Sequence, residues 1–374
     1  MKPKFLAKVF DSLVPPSGGT RFASLDGLRA LAALAVAFNH LPTWQPHYVF
    51  AHYGGAAVNI FFCLSAFLLY YPHVVGKAPD ARTYYWRRAW RIYPAYLVAL
   101  LVGALVTVVI GKPVLLRDFG SHLFFAHSWS LTTLKTLIDP AWSLAGEAQF
   151  YLLLPLLALI IKPKQPWSLV GAIAAVALLQ LPFQGSMYRL AVVDQETLPT
   201  TNWPFLALPF FCGMQAAWLV ANKPYCCKYL APVGLIGLAL CGSLPAAFFP
   251  RQESWLCYLF FYPRTLGVSL CSLAAIAGLA GSAGFCTKLL AWKPLRAVGI
   301  SGFGLFLFHS PIYLLLGQFV PASRVPYLGL PLAIIVGILS YLYIEAPAMR
   351  LGRSWTGLQL GWLRRRLPEP RPID

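Results

Sequence analysis

Ten apolar stretches follow one another along the chain, each near the length of about 20 residues that crosses a bilayer as a helix. They fall near 25–44, 54–72, 93–111, 142–161, 167–184, 204–221, 229–248, 259–281, 299–319 and 327–345. The loops between them are short, and none reads as a soluble domain. Of 374 residues, 58% are hydrophobic and only 11% charged, whereas a soluble domain carries roughly a quarter charged; the mean hydropathy is +0.64. So few charges could not cover a soluble protein of this size. The expected fold is all-α: a polytopic transmembrane helix bundle of about ten spans over 25–345, between a segment 1–24 and a basic tail 346–374. The first apolar run starts late and no small-residue cleavage site follows it, so no cleavable signal peptide is expected.

The net charge of +18 finds its reason in topology. With the N-terminus inside, the segments 1–24, 73–92, 162–166, 222–228, 282–298 and the tail from 346 share one face. They hold 22 of the 30 Lys and Arg. The opposite loops hold six: Lys112, Arg117, Lys135, Arg189, Arg251 and Arg324. Such an excess marks the cytoplasmic side, which places both termini there, in a cell (inner) membrane. The charges sit in short loops and form no basic domain, so nucleic acid is not expected as a partner. The eight cysteines are scattered in or beside apolar spans and show neither metal-ligand spacing nor a disulfide framework. No bound metal or cofactor is expected.

Ionisable groups inside a membrane are costly, which makes them candidates for function. Glu147 lies one to two turns into the fourth span, within Trp142-Ser143-Leu144-Ala145-Gly146-Glu147; Asp26 and Glu345 mark the ends of the first and last spans. Arg29 and His40 sit in the first span, eleven residues or about three turns apart, so both leave nearly the same helix face, roughly 16 Å apart along the axis. Five alanines separate them, small enough for close helix packing. His309 is a second intramembrane histidine. Arg88 and Arg91, at i and i+3 within Trp86-Arg87-Arg88-Ala89-Trp90-Arg91, share a face. Two readings of that cluster stand side by side: an interfacial anchor, or a grip on the phosphates of a cytosolic ligand.

Taken in order, these residues resemble the integral-membrane acyltransferase 3 family of polysaccharide and lipopolysaccharide O-acetylases. The resemblance covers about 25–350. Leu25-Asp26-Gly27-Leu28-Arg29 through His40 is similar to its opening signature, and the run from Asn59 through Ser65 to Leu68 to its second-span motif. Arg88 and Arg91 fit an Arg-x-x-Arg before Ile-x-Pro. Trp142-Ser143-Leu144 with Glu147, Phe150 and Tyr151 resembles a further motif, and His309 with Pro311, then Tyr343 to Pro347, the closing segments. Ala66 stands where the family commonly has Gly. Gly302, Phe303 and Phe306 stand where Ser, Tyr and Tyr are common, which removes hydroxyls from the wall near His309.

The resemblance implies transfer of an acyl group, typically acetyl, from cytosolic acyl-CoA to a hydroxyl of a cell-envelope glycan or lipid-linked sugar. His40 is the expected base, or alternatively a nucleophile forming an acyl-imidazole. Glu147 either orients His40 or pairs with Arg29 or Arg264. Arg29, Arg88 and Arg91 are the expected donor site. Asp26, Ser65, Trp142, Ser143, Arg264, His309 and Glu345 are candidates for the substrate cavity, Arg264 with a snorkelling anchor as its plain alternative. Acylation of a small glycoside or antibiotic is a rival reading within the enzyme class, and a transporter or flippase a rival outside it. Formation of a covalent product separates the two classes.

Overall fold

The computed structural model describes residues 13–14, 22–42, 53–161, 166–188, 206–248 and 256–355, without the side chains at 53, 166, 179–188, 242–248 and 256–264. The described residues are helical with short connections, and no strand occurs among them. Thirteen helices among them position the site: α1 (Ala23–Asn39), α2 (Tyr53–Val74), α3 (Ala81–Val109), α4 (Leu116–Leu123), α5 (Ala141–Ile160), α6 (Pro166–Tyr188), α7 (Ala207–Asn222), α8 (Leu230–Phe248), α9 (Leu256–Gly281), α10 (Phe285–Leu290), α11 (Lys293–Ile300), α12 (Gly302–Leu316) and α13 (Val325–Ser340). A π-helical turn, Tyr341–Glu345, continues α13.

Each apolar stretch coincides with one of these helices. Among the described residues, four helical segments are long and apolar enough by themselves to cross a bilayer: Gly54–Val74, Ala81–Val109, Ala141–Ile160 and Ala322–Trp355. The pair α11 and α12, bent by 67°, makes a fifth if it counts as one span. The ten crossings expected are not established by this criterion, and α1 shows one reason why a span can fail it. Its 17 residues rise only about 25 Å, and its first two turns carry Asp26 and Arg29.

Local chemistry sets several helix ends. Gly76, at φ +68°, closes α2, a conformation that costs glycine nothing. Asp80 then caps α3, its carboxylate accepting from the Thr83 backbone N–H at 2.9 Å. α2 lies at the centre, packed against α1, α7 and α9. Between apolar helices in lipid, close packing and hydrogen bonds rather than exclusion from water hold the contact. Gly213 lets α7 approach the α2 backbone so closely that a Cβ there would overlap the Cys63 carbonyl. The Cys63 thiol donates across that contact to the Pro209 carbonyl at 3.0 Å. Ser24 ties α1 to α9 by donating to the Leu279 carbonyl at 2.8 Å.

Candidate active site

A cavity of about 280 Å³ opens among α1, α2, α3, α5 and α12. Arg29, Arg88 and Arg91 supply its cations, Ser65, Ser143, Glu147 and Tyr151 its other polar groups, and Phe61, Phe62, Phe303 and Phe306 its aromatic wall. Three helices, far apart in sequence, thus bring four charged side chains, Arg29, Arg88, Arg91 and Glu147, to one place.

Each charge has a holder. Glu147 accepts a hydrogen bond from the Ser65 hydroxyl, and Arg88 and Arg29 are the cations whose fields reach it. Arg29 donates to Asp26 at 3.3 Å, and Asp26 also faces Arg296 of α11 at 3.6 Å. Asp26 is therefore a buried bridge between α1 and α11, outside the cavity lining. Arg91 pairs with Glu345, which is buried in the π-helical turn; its guanidinium also lies over the Phe303 ring, 5.5 Å from the centroid. Arg88 lies over Tyr151 at 5.9 Å, an arrangement that suits a planar cation. The Ser143 hydroxyl donates to the Pro140 carbonyl at 3.1 Å. Trp142 packs against the main core and is absent from the lining. The side chain of Arg264 lies outside the described residues.

His40, at the far end of α1, does not line this cavity. Its ring meets His309 of α12, with centroids 5.0 Å apart. The hydrogen-bond partners assign the tautomers. His309 Nδ1 faces the Leu305 carbonyl at 3.1 Å, an acceptor only, so Nδ1 carries the proton and Nε2 a lone pair. That lone pair faces His40 Nδ1 at 3.3 Å, and His40 Nδ1 also faces the Val36 carbonyl at 2.8 Å. His40 Nδ1 is accordingly N–H. The basic atom of the pair is His40 Nε2, and it stands 3.9 Å from a carboxylate oxygen of Asp139. Glu147 meets Ser65 rather than His40, within reach of the Arg88 and Arg29 charges.

Asp139 and Arg296 were not singled out by their sequence context. Asp139 lies in a loop, where acids are ordinary; the one local signal is its place directly before Pro140 and Trp142-Ser143-Leu144. The loop itself is unusual. Leu137 has φ +57°, a left-handed conformation that costs a bulky residue on the order of 1–3 kcal/mol. Burial of Leu137 and Ile138 holds it there, and Gly103 of α3 leaves room for the Leu137 carbonyl, which a Cβ would overlap.

The sequence matches the family described as an acyltransferase domain over residues 22–345. It is 25% identical over 355 residues to O-acetyltransferase OatA of Staphylococcus aureus (strain NCTC 8325 / PS 47), covering 88% of this chain and 57% of that protein. It is 26% identical over 359 residues to peptidoglycan O-acetyltransferase OatA of Listeria monocytogenes, covering 88% of this chain and 56% of that protein. The chain thus spans a little over half the length of these relatives. No solved structure matches it.

Proposed function

This chain belongs to the acyltransferase domain family, and we propose that it is a multi-pass membrane O-acetyltransferase that moves an acetyl group from acyl-CoA to a hydroxyl of a cell-envelope glycan. The observation that carries the reading is His40. Its tautomer is fixed by two carbonyls and His309, which leaves Nε2 as the acceptor, beyond one end of a cavity walled by three arginines.

The arginines receive the phosphates of the donor through charge-assisted hydrogen bonds. The acceptor hydroxyl oxygen attacks the thioester carbonyl carbon while its proton passes to His40 Nε2. The carbon–sulfur bond then breaks, and the CoA thiolate takes that proton back. The new ester stays on the glycan. Asp139 stabilises the transient imidazolium. The Listeria monocytogenes relative is named for peptidoglycan, which favours a cell-wall glycan as acceptor and makes peptidoglycan the first to try.

The test is a comparison of envelope glycans. Alkali-labile acetyl esters, counted by mass spectrometry, should disappear in a strain lacking the protein and return with the wild-type chain. They should not return with His40→Ala at equal abundance. Unchanged acetylation in the deletion strain would remove the proposal.

A further inference from the structure

Resting on the acyl-transfer reading above, we infer that the Phe61–Phe306 pair is the aperture between the arginine cavity and the histidine pair, and that it restricts the transferred group to short acyl chains. Both rings line the cavity. They meet edge to face, with centroids 6.4 Å apart at 64°. Phe306 also lies against His309, at 6.2 Å. One turn of α12 therefore separates the cavity wall from the histidine that holds His40, and Phe306 occupies that turn. From the side of α2, Phe61 packs both on the main core and on the outer cluster that contains Ala33, Ala37 and Leu305. An acyl arm that extends from phosphates held at the arginines would pass these two rings on its way to His40 Nε2.

The aperture is stiff. Gly304 and Gly337 bring α12 and α13 into backbone contact, and a Cβ at either would overlap the other helix. The neighbours Leu305 and Leu307 are buried at 1% and 0% exposure. Packed backbones resist sliding, so Phe306 stands on a helix held in place against α13. The cavity itself, about 280 Å³, is at or below the lower end of sites that take a whole drug-sized ligand, roughly 300–1,000 Å³. It suits the diphosphate and slender arm of a coenzyme A thioester better than the bulky adenosine. No bond forms at either ring, so the pair changes which acyl group passes and leaves the transfer chemistry as it is. A closed apolar wall discriminates roughly 10- to 200-fold per added methylene.

The experiment uses membranes carrying the full-length chain together with their own envelope glycan, in a background that lacks the native protein. Acetyl-, propionyl-, butyryl- and hexanoyl-CoA are supplied in turn, and alkali-labile acyl esters on the glycan are counted by mass spectrometry. The wild-type chain should form butyryl esters at least 100-fold less efficiently than acetyl esters. Phe306→Ala and Phe61→Ala should each raise the butyryl-to-acetyl ratio tenfold or more, Phe306→Leu less, and Phe306→Tyr should keep the wild-type ratio. Phe61→Leu and Phe306→Leu, the smaller changes, decide the matter if an alanine variant does not accumulate. Equal use of butyryl-CoA by the wild-type chain overturns the inference, as does an unchanged ratio in variants that still form acetyl esters. Absence of any ester from the wild-type chain instead overturns the acyl-transfer reading on which it rests.

Discussion

At the scale of single residues, the decisive detail is which nitrogen of His40 is basic. On the proposed mechanism His309 acts through His40, as a positioning residue: it accepts from His40 Nδ1 and so disfavours the tautomer with its proton on Nε2. His309→Leu should lower kcat on the order of tenfold or more while leaving the KM for acyl-CoA nearly unchanged; a change confined to KM would refute that role. Asp139 acts by charge. At 3.9 Å an unscreened pair of charges would be worth about 4 kcal/mol at an effective dielectric of 20, but Asp139 is 40% exposed, which reduces the figure to about 1 kcal/mol. Asp139→Asn should therefore cost roughly five- to tenfold in kcat, with little change in thermal stability; an undiminished kcat removes Asp139 from the mechanism. Residues that share a motif, such as Arg88 and Arg91, were legible as a group because helix periodicity alone places them together. Asp139 and His40 are 99 positions apart and meet only through a loop that no periodicity describes. The same limit applied to Arg296, which reads as one more basic loop residue until α11 is seen to lie across α1.

At the scale of elements, helices were legible and their interruptions were not. The stretch 299–319 reads as one span, yet the chain turns by 67° there. Ser301 returns its hydroxyl to the Ala297 carbonyl at 2.9 Å, with Gly299 and Gly302 on either side, and Gly/Ser pairs are a recognised cause of kinks. α3 begins twelve residues before the apolar stretch at 93, because a hydropathy window cannot see the helix continue through Arg82 to Arg91. The connection from α3 to α5 offers two tests. In it His122 and His127 are stacked, centroids 3.9 Å apart and 5° from parallel. Burial, then the neighbouring ring, pushes His122 down to about 3, and burial lowers His127 as well. An unfolded histidine titrates near 6.5, so from there down to about pH 3 the unfolded state binds more protons and stability falls with pH. The Tm in detergent should drop between pH 7.5 and 5, and His127→Phe, which keeps a stacked ring, should make that drop shallower. An identical slope would exclude the pair as its source. Gly103→Ala places a methyl against the Leu137 carbonyl; it should destabilise the protein by about 1–3 kcal/mol and reduce kcat as the Asp139 loop moves. Neutral stability would show that the loop yields freely.

At the scale of the whole molecule, membrane residence was legible from the scarcity of charge, and the family from motifs spread over the chain. The ten apolar stretches were legible as helices of unequal length, because an apolar stretch specifies an environment and leaves open whether its helix spans the bilayer alone. A linear reading also could not show that Phe306 lines the arginine cavity and lies against His309 of the histidine pair. The proposed function makes this cavity an acyl donor site beside a catalytic histidine. It is tested most directly with the purified full-length chain in nanodiscs, given labelled acetyl-CoA and soluble peptidoglycan fragments. The expected result is an alkali-labile acetyl ester on the glycan with one CoA released per ester, and at least a hundredfold loss in His40→Ala of unchanged Tm. Ester formation by His40→Ala at the wild-type rate would contradict the account.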